Sequence, residues 1–243
     1  MDWHSRFVQQ AEWTRDLRVH LFGLAGLDRA GRVLEVGCGT GAILGDLPTP
    51  ASVHGLDLEP ARLVEARVHA PTSYLICGDA LHLPYPSVSF DITFCHFLLL
   101  WVRDPLQALL EMKRVTRRSG ALLALAEPDY DSRVDSPGSL APLGRWQAEA
   151  LRRQGADPAL GARLADLFQK ADIHLVETGP IQRGGTRPPG PGERELEWKV
   201  LEADLAGIVP GRAIQRMKKL DEQAWQRGDR VLYVPTYFAY GLV

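Results

Sequence analysis

Cysteine is scarce in this 243-residue chain, present only as Cys38, Cys77 and Cys95. The count is odd and no two form a CxxC pair, which argues against a disulfide framework and against structural zinc. Net charge is nearly absent as well. Lys+Arg 28 against Asp+Glu 30 gives a formal charge of -2. That balance offers no excess of positive charge to attract nucleic acid or an anionic membrane. Long apolar runs are missing, and the stretch 94–102 is far too short to span a bilayer. The first residues, Met1-Asp2-Trp3-His4-Ser5-Arg6, are polar and charged and lack a signal-peptide core. No internal repeat or low-complexity tail is visible. These features read as a cytoplasmic protein without nucleic-acid or membrane partners. The 45% hydrophobic and 24% charged content is that of an ordinary globular chain. Its length suits one α/β domain with an insertion.

The apolar periodicity predicts an amphipathic helix over 3–25, carrying Phe7, Ala11, Leu17, Leu21 and Leu24. Strands follow at 32–36, 52–57, 73–77, 90–97 and 121–126. Between them, helices are expected from Ala42 to before Pro48, over 60–70, and from Pro105 to Arg118. This β-α-β alternation specifies a parallel sheet. The texture then changes. Helices at about 140–154 and 158–170 precede a strand at 173–181. A Gly/Pro-rich loop covers 184–192, and helices fit 193–206 and 211–227. A last strand, 231–243, contains Pro235, which fits an edge or a bulge better than a sheet centre.

The most informative run is Val33-Leu34-Glu35-Val36-Gly37-Cys38-Gly39-Thr40-Gly41. It is an apolar strand with one acid inside, ending in a glycine-rich turn. Such a loop at the carboxyl end of a parallel strand is where open α/β sheets bind nucleotide-like cofactors. Its GxGxG spacing is not the GxGxxG of dinucleotide enzymes. Asp57 ends the second strand, where a carboxylate accepts from both hydroxyls of a ribose. The third strand ends in Gly78-Asp79-Ala80-Leu81. There a carboxylate can accept from an adenine amine while backbone groups at Ala80 meet the ring nitrogens. Together the three segments form a clamp for an adenosine that needs no phosphate site.

On these residues the chain resembles the class I S-adenosylmethionine-dependent methyltransferases, most closely the small-molecule group that includes the quinone-biosynthesis enzymes. The run 84–102, PYPSVSFDITFCHFLLLWV, is similar to the family's fourth-strand region, and 114–120, RVTRRSG, to its turn before the fifth strand. The resemblance spans roughly residues 30–130; the segment 130–230 matches no general family pattern. It implies a Rossmann-like seven-stranded, mostly parallel α/β sheet with the last strand antiparallel and helices on both faces. It also implies an N-terminal helical lid over 1–29, a catalytic domain over 30–243, and substrate-side helical insertions at about 130–170 and 185–230. The cofactor would be S-adenosylmethionine, leaving as S-adenosylhomocysteine. Glu35 and the backbone of Gly37, Cys38, Gly39 and Gly41 would hold its methionine part. Asp57 and Leu58 would hold the ribose and one adenine face, and Asp79, Ala80 and Leu81 the adenine edge. Cys95, His96 and Leu100 would flank the methyl donor. From the lid, Trp13 would pack near the sulfonium and Arg18 would pair with the cofactor carboxylate.

Methyl transfer from a sulfonium needs alignment first, and a base only for some acceptors. His96 is the first candidate base, and Asp129 and Tyr130, after the fifth strand, are the second. Each also has a plain alternative: a neutral, packed histidine, or loop hydrogen bonding. The remaining histidines, 4, 20, 54, 69, 82 and 174, show no ligand spacing, and no metal is expected. The leading reading is an enzyme that methylates a small molecule on O, N or C, acting as a monomer or homodimer. The alternative is a non-catalytic S-adenosylmethionine-binding partner or sensor. A nicotinamide-dependent oxidoreductase is disfavoured by the GxGxG turn and by Asp79.

Overall fold

The strands alternate apolar residues to both faces, which is what a sheet covered on both sides demands. In the computed structural model, which describes residues 2–181 and 189–243, they are β1 (Arg32–Val36), β2 (Ser52–Asp57), β3 (Tyr74–Cys77), β4 (Phe90–Cys95) and β5 (Thr116–Pro128). A short β6 (Val134–Ser136) is followed by β7 (His174–Pro180), β8 (Val231–Tyr233) and β9 (Thr236–Leu242). The helices are α1 (Trp3–Trp13), α2 (Arg15–Leu24), α3 (Pro60–His69), α4 (Pro105–Val115), α5 (Ala141–Arg153), α6 (Leu164–Lys170), α7 (Pro191–Leu205) and α8 (Gly211–Arg227).

Seven strands form one sheet in the order β3-β2-β1-β4-β5-β9-β7. β9 runs antiparallel to both of its neighbours, and the other pairings are parallel. One face of the sheet presents Leu34, Cys95, Leu122 and Ala124 to Leu109, Met112 and Phe168 of α4 and α6. The other presents Val33, Phe94, Leu123 and Leu125 to Leu21 and Phe22 of α2. α5, α7 and α8 bury a separate cluster around Leu143, Trp198, Leu201 and Leu205. That cluster is pinned by charges rather than grease alone: Arg230 pairs with both Asp135 and Asp221, and Trp198 donates to Asp221 at 2.8 Å. β6 pairs with β8 to join the two insertions. No helix among the described residues is long and apolar enough to cross a membrane.

Five expectations change. The helix foreseen over 3–25 breaks at Thr14, whose hydroxyl donates back to the Ala11 carbonyl and ends α1. No α-helix follows the glycine turn; only a 3-10 turn, Leu44–Asp46, forms there. Fewer than two helical turns fit between Gly41 and Pro48, too short a run to nucleate. α4 stops at Val115 rather than Arg118, because Thr116 returns its hydroxyl to Met112 and then pairs with Phe90. The helix expected over 158–170 begins only at Leu164, after a 3-10 turn. The last segment splits at Pro235, and β9 lies inside the sheet between β5 and β7 rather than at an edge. Pro235 sits outside the ladder and its carbonyl accepts from Asp129, so it blocks no pairing. Of the Gly/Pro-rich loop, residues 184–188 lie outside the described residues.

Candidate functional site

Strand order reverses between β1 and β4, and the crevice outside their carboxyl ends is the place for a ligand in such a sheet. A cavity of about 620 Å3 opens there. Three segments distant in sequence line it together. Glu35, Gly37, Cys38 and Gly39 come from the end of β1, Asp57 and Leu58 from β2, and Asp79, Ala80 and Leu81 from beyond β3. His96 and Leu100, beyond β4, and Tyr130, beyond β5, close it.

The glycine turn is built for close approach. Gly37 has φ +75° and a Cβ there would meet Leu98 Cδ1 at 2.6 Å. At Gly39, φ is +54° and a Cβ would lie 3.0 Å from Phe7 Cε2 of α1. Asp57 ties this turn to β2. One carboxylate oxygen accepts from the Gly39 amide at 2.8 Å and the other from the Glu59 amide at 2.9 Å. Asp79 forms a turn of its own by accepting from the Leu81 amide at 2.9 Å.

Glu35 is buried and its Oε2 has no hydrogen-bond partner. Burial and the nearby Asp57 push its carboxyl well above the ordinary range, while Arg18 opposes them. A buried acceptor aimed at a cavity fits a cationic group on a ligand. Burial also pushes the Cys38 and Cys95 thiols up, so neither is a ready nucleophile.

His96 is held neutral. Burial first, and then Arg18, lower its pKa from 6.5 to about 3. Thr14 donates to Ala11, and Arg18 donates to the Thr14 hydroxyl at 3.0 Å. That hydroxyl therefore receives the Nε2 proton of His96 across 3.0 Å, leaving Nδ1 as the acceptor. Tyr130 is pushed up to about 12, chiefly by burial.

Several expected residues stand elsewhere. Trp13, Arg18, Gly41, Cys95 and Asp129 are not among the cavity's lining residues. Arg18 lies on α2, where its guanidinium donates to the Ala11 carbonyl and the Thr14 hydroxyl, and the Arg6 guanidinium covers the Trp13 ring at 4.9 Å. Gly41 packs on Ala66 and Ala70 instead. Asp129 accepts from the Ser132 amide in its own loop. In their place α1 contributes Trp3, Arg6, Phe7 and Gln10. Their i, i+3/i+4, i+7 spacing was a legible helical stripe. From the insertions come Leu151, Gln154, Val200 and Asp204. Asp204 accepts from Gln147 and Gln154, and burial raises its pKa. Nothing in the local sequence marks that cluster.

Residues 34–124 match the family described as a methyltransferase domain. A malonyl-[acyl-carrier protein] O-methyltransferase of Halorhodospira halophila is 42% identical over 218 residues, covering 82% of this chain and 68% of that protein. A phosphatidylethanolamine N-methyltransferase of Cereibacter sphaeroides is 30% identical over 174 residues, covering 65% of this chain and 77% of that protein. Among solved structures, a protein from Anabaena variabilis ATCC 29413, assigned as an antibiotic-pathway methyltransferase, matches with a TM-score of 0.67. It is 17% identical, covers 95% of this chain and all of that one, and so speaks for the fold alone. The identity to the Halorhodospira protein, carried across two thirds of its length, shows that the chain belongs to the class I S-adenosylmethionine-dependent methyltransferases.

Proposed function

We propose that this chain transfers the methyl group of S-adenosylmethionine to an O, N or C atom of a small-molecule acceptor by in-line displacement. One observation carries the reading: three sequence-distant strand ends meet around a single cavity. The residues present fit the cofactor. Glu35 Oε2, buried without a partner, would take the methionyl ammonium, and the bare backbone of Gly37 and Gly39 would lie along the methionyl chain. Asp57 would hold the ribose, with oxygen lone pairs to spare after its two amide bonds. Leu58 would cover one face of the adenine, and Asp79, Ala80 and Leu81 would meet its edge.

The sulfonium supplies the activated methyl and a good leaving group. What remains for the protein is alignment and exclusion of water. α1 covers the glycine turn with Phe7, and Leu151 and Val200 give the cavity an apolar wall. Gln154, Asp204 and Tyr130 offer the polar groups that orient an acceptor. A neutral His96 presents its Nδ1 lone pair as an acceptor, which positions a hydroxyl or amine without taking a full charge. The O- and N-methyltransferase relatives support either acceptor atom.

Calorimetry with S-adenosylmethionine and a nicotinamide dinucleotide tests the cofactor; uptake of only the second would overturn the reading. Incubation with a metabolite extract then tests catalysis. S-adenosylhomocysteine should accumulate only when extract is present. Tight cofactor uptake without that product across extracts would favour a binding partner or sensor over an enzyme.

A further inference from the structure

Outside the cavity, three metal-ligating groups from separate parts of the chain converge. His4 lies in the first turn of α1. Glu65 and His69 lie on α3, four residues apart and therefore on one face. One ligand atom from each falls within 4.8 Å of the others. The sequence reading finds no ligand spacing at these histidines; it is the fold that brings the three residues together.

The surroundings suit an ion rather than a chance encounter. Nδ1 of His4 lies 2.8 Å from the Thr40 hydroxyl, inside the glycine turn. A proton on Nδ1 given to that hydroxyl leaves the Nε2 lone pair free, as the outer hydrogen bond of a metal-bound histidine does. The His4 and His69 rings stack with centroids 3.4 Å apart and planes 8° from parallel. Two imidazoles and one carboxylate are a borderline-soft donor set, and water can complete a tetrahedron.

We propose that His4, Glu65 and His69 bind a divalent transition-metal ion, with Zn2+ the best match, and that the ion staples α1 to α3 beside the glycine turn. In the stack the two lone pairs lie in parallel planes, so one ion cannot meet both. His69 is the exposed last residue of α3, and binding requires its ring to leave the stack so that the ion lies in the plane of each imidazole. The ion thus replaces a stack with a cross-link. α1 also carries Phe7 over Gly39, together with Arg6 and Gln10 in the cavity wall. Fixing its first turn therefore fixes that wall. The ion site stands on these three residues alone and does not depend on which ligand the cavity takes.

The test is calorimetric titration of Zn2+ into the untagged, chelator-treated chain. One ion per chain is expected, with Mg2+ unable to compete because it prefers all-oxygen sites. His69→Ala and Glu65→Gln should each weaken binding at least about tenfold, the lower end of what even an outer-shell loss costs. Cys77→Ser, which removes an exposed thiol, should leave it unchanged. Absence of a saturable single site, unaltered affinity in His69→Ala, or loss of binding in Cys77→Ser overturns the site. Hydrogen exchange reads the staple. Amides of α1 should slow with saturating Zn2+ in the parent chain and not in His69→Ala; equal exchange with and without Zn2+ overturns the staple.

Discussion

Nε2 of His96 lies 3.0 Å from the hydroxyl of Thr14, the residue between α1 and α2. One threonine therefore joins the end of β4 to the N-terminal helices. It also receives Arg18 at 3.0 Å, so a cation stands one side chain away from the histidine. Burial first, and this cation second, hold His96 neutral.

His96→Asn should lower turnover while leaving cofactor affinity nearly intact, because His96 comes from the end of β4 and not from the glycine turn or Asp57. The pH profile of the parent enzyme should show no limb near 6.5 that the variant lacks. Stability carries the same signature. The folded histidine titrates at about 3 and the unfolded one at 6.5, so between those values the unfolded state holds the extra proton. This contribution is fully present above pH 6.5 and is lost as the pH falls toward 3. Urea melts at pH 7 and pH 5 should show a smaller loss in His96→Asn than in the parent. An equal loss would mean that the histidine protonates freely in the fold.

Asp57→Ala should loosen the glycine turn and the ribose site together. The carboxylate holds the amides of Gly39 and Glu59, and removing it leaves both without that acceptor. Each hydrogen bond to a charged group is worth about 1.5–3 kcal/mol. Cofactor affinity measured by calorimetry should therefore fall by roughly 30-fold or more, accompanied by a lower melting temperature. Asp57→Asn keeps the shape but turns an NH2 toward one of the amides, so it should not restore affinity. Full affinity in either variant would remove Asp57 from the site.

The part of the cavity built on the ends of β1, β2 and β3 was legible because its determinants are local. Gly37, Gly39, Asp57 and Asp79 each follow a strand whose apolar run is unmistakable, and a parallel sheet brings strand ends to one rim. The part built on the insertions was not legible. Gln154 caps α5 and Asp204 lies in α7, and the packing of Trp198, Leu143 and Leu201 brings these helices together so that both residues line the cavity with Tyr130. That Trp13 and Arg18 do not line the cavity was not legible for a different reason. Continuous helical periodicity over 3–25 hides the break, since a single threonine hydroxyl decides it. The central position of β9 was obscured by Pro235, which reads as a strand breaker until its place between two strands is seen.

Glu127 offers a prediction about the loop after β4. Its carboxylate is buried and accepts from the amides of Leu98, Leu99 and Leu100 at 3.1, 2.9 and 3.2 Å. Leu98 and Leu100 line the cavity, so this one side chain sets part of its wall. Burial pushes the carboxyl up to about 7 against the pull of those amides. The folded pKa is raised, so this contribution to stability is fully present below pH 4.5 and is lost as the pH rises through 7. Glu127→Gln removes that slope but turns an amide donor toward backbone donors. It should cost about 1–3 kcal/mol at pH 7 in urea titration. A variant as stable as the parent at pH 7, with the same pH slope, would show that Glu127 does not hold the loop.

The last prediction concerns how α1 is held against α7. Arg6 of α1 reaches Glu197 of α7 at 2.8 Å, across 191 residues of sequence. The arginine is nearly buried and lines the cavity, and the same guanidinium nitrogen also donates to Gln9 at 2.7 Å. This pair links α1 to α7 directly by charge, so it should influence how readily the cavity opens. Arg6→Ala and Glu197→Ala should each speed cofactor release in stopped-flow experiments. The double variant should be faster than either by less than the product of the two effects. A coupling of about 1–2 kcal/mol is expected for charged partners in contact at partial burial. Salt should act weakly on it, because a shielded pair is screened less than an exposed one. Strictly multiplicative rates would show that the two helices move independently and that the ion pair does not hold α1 against α7.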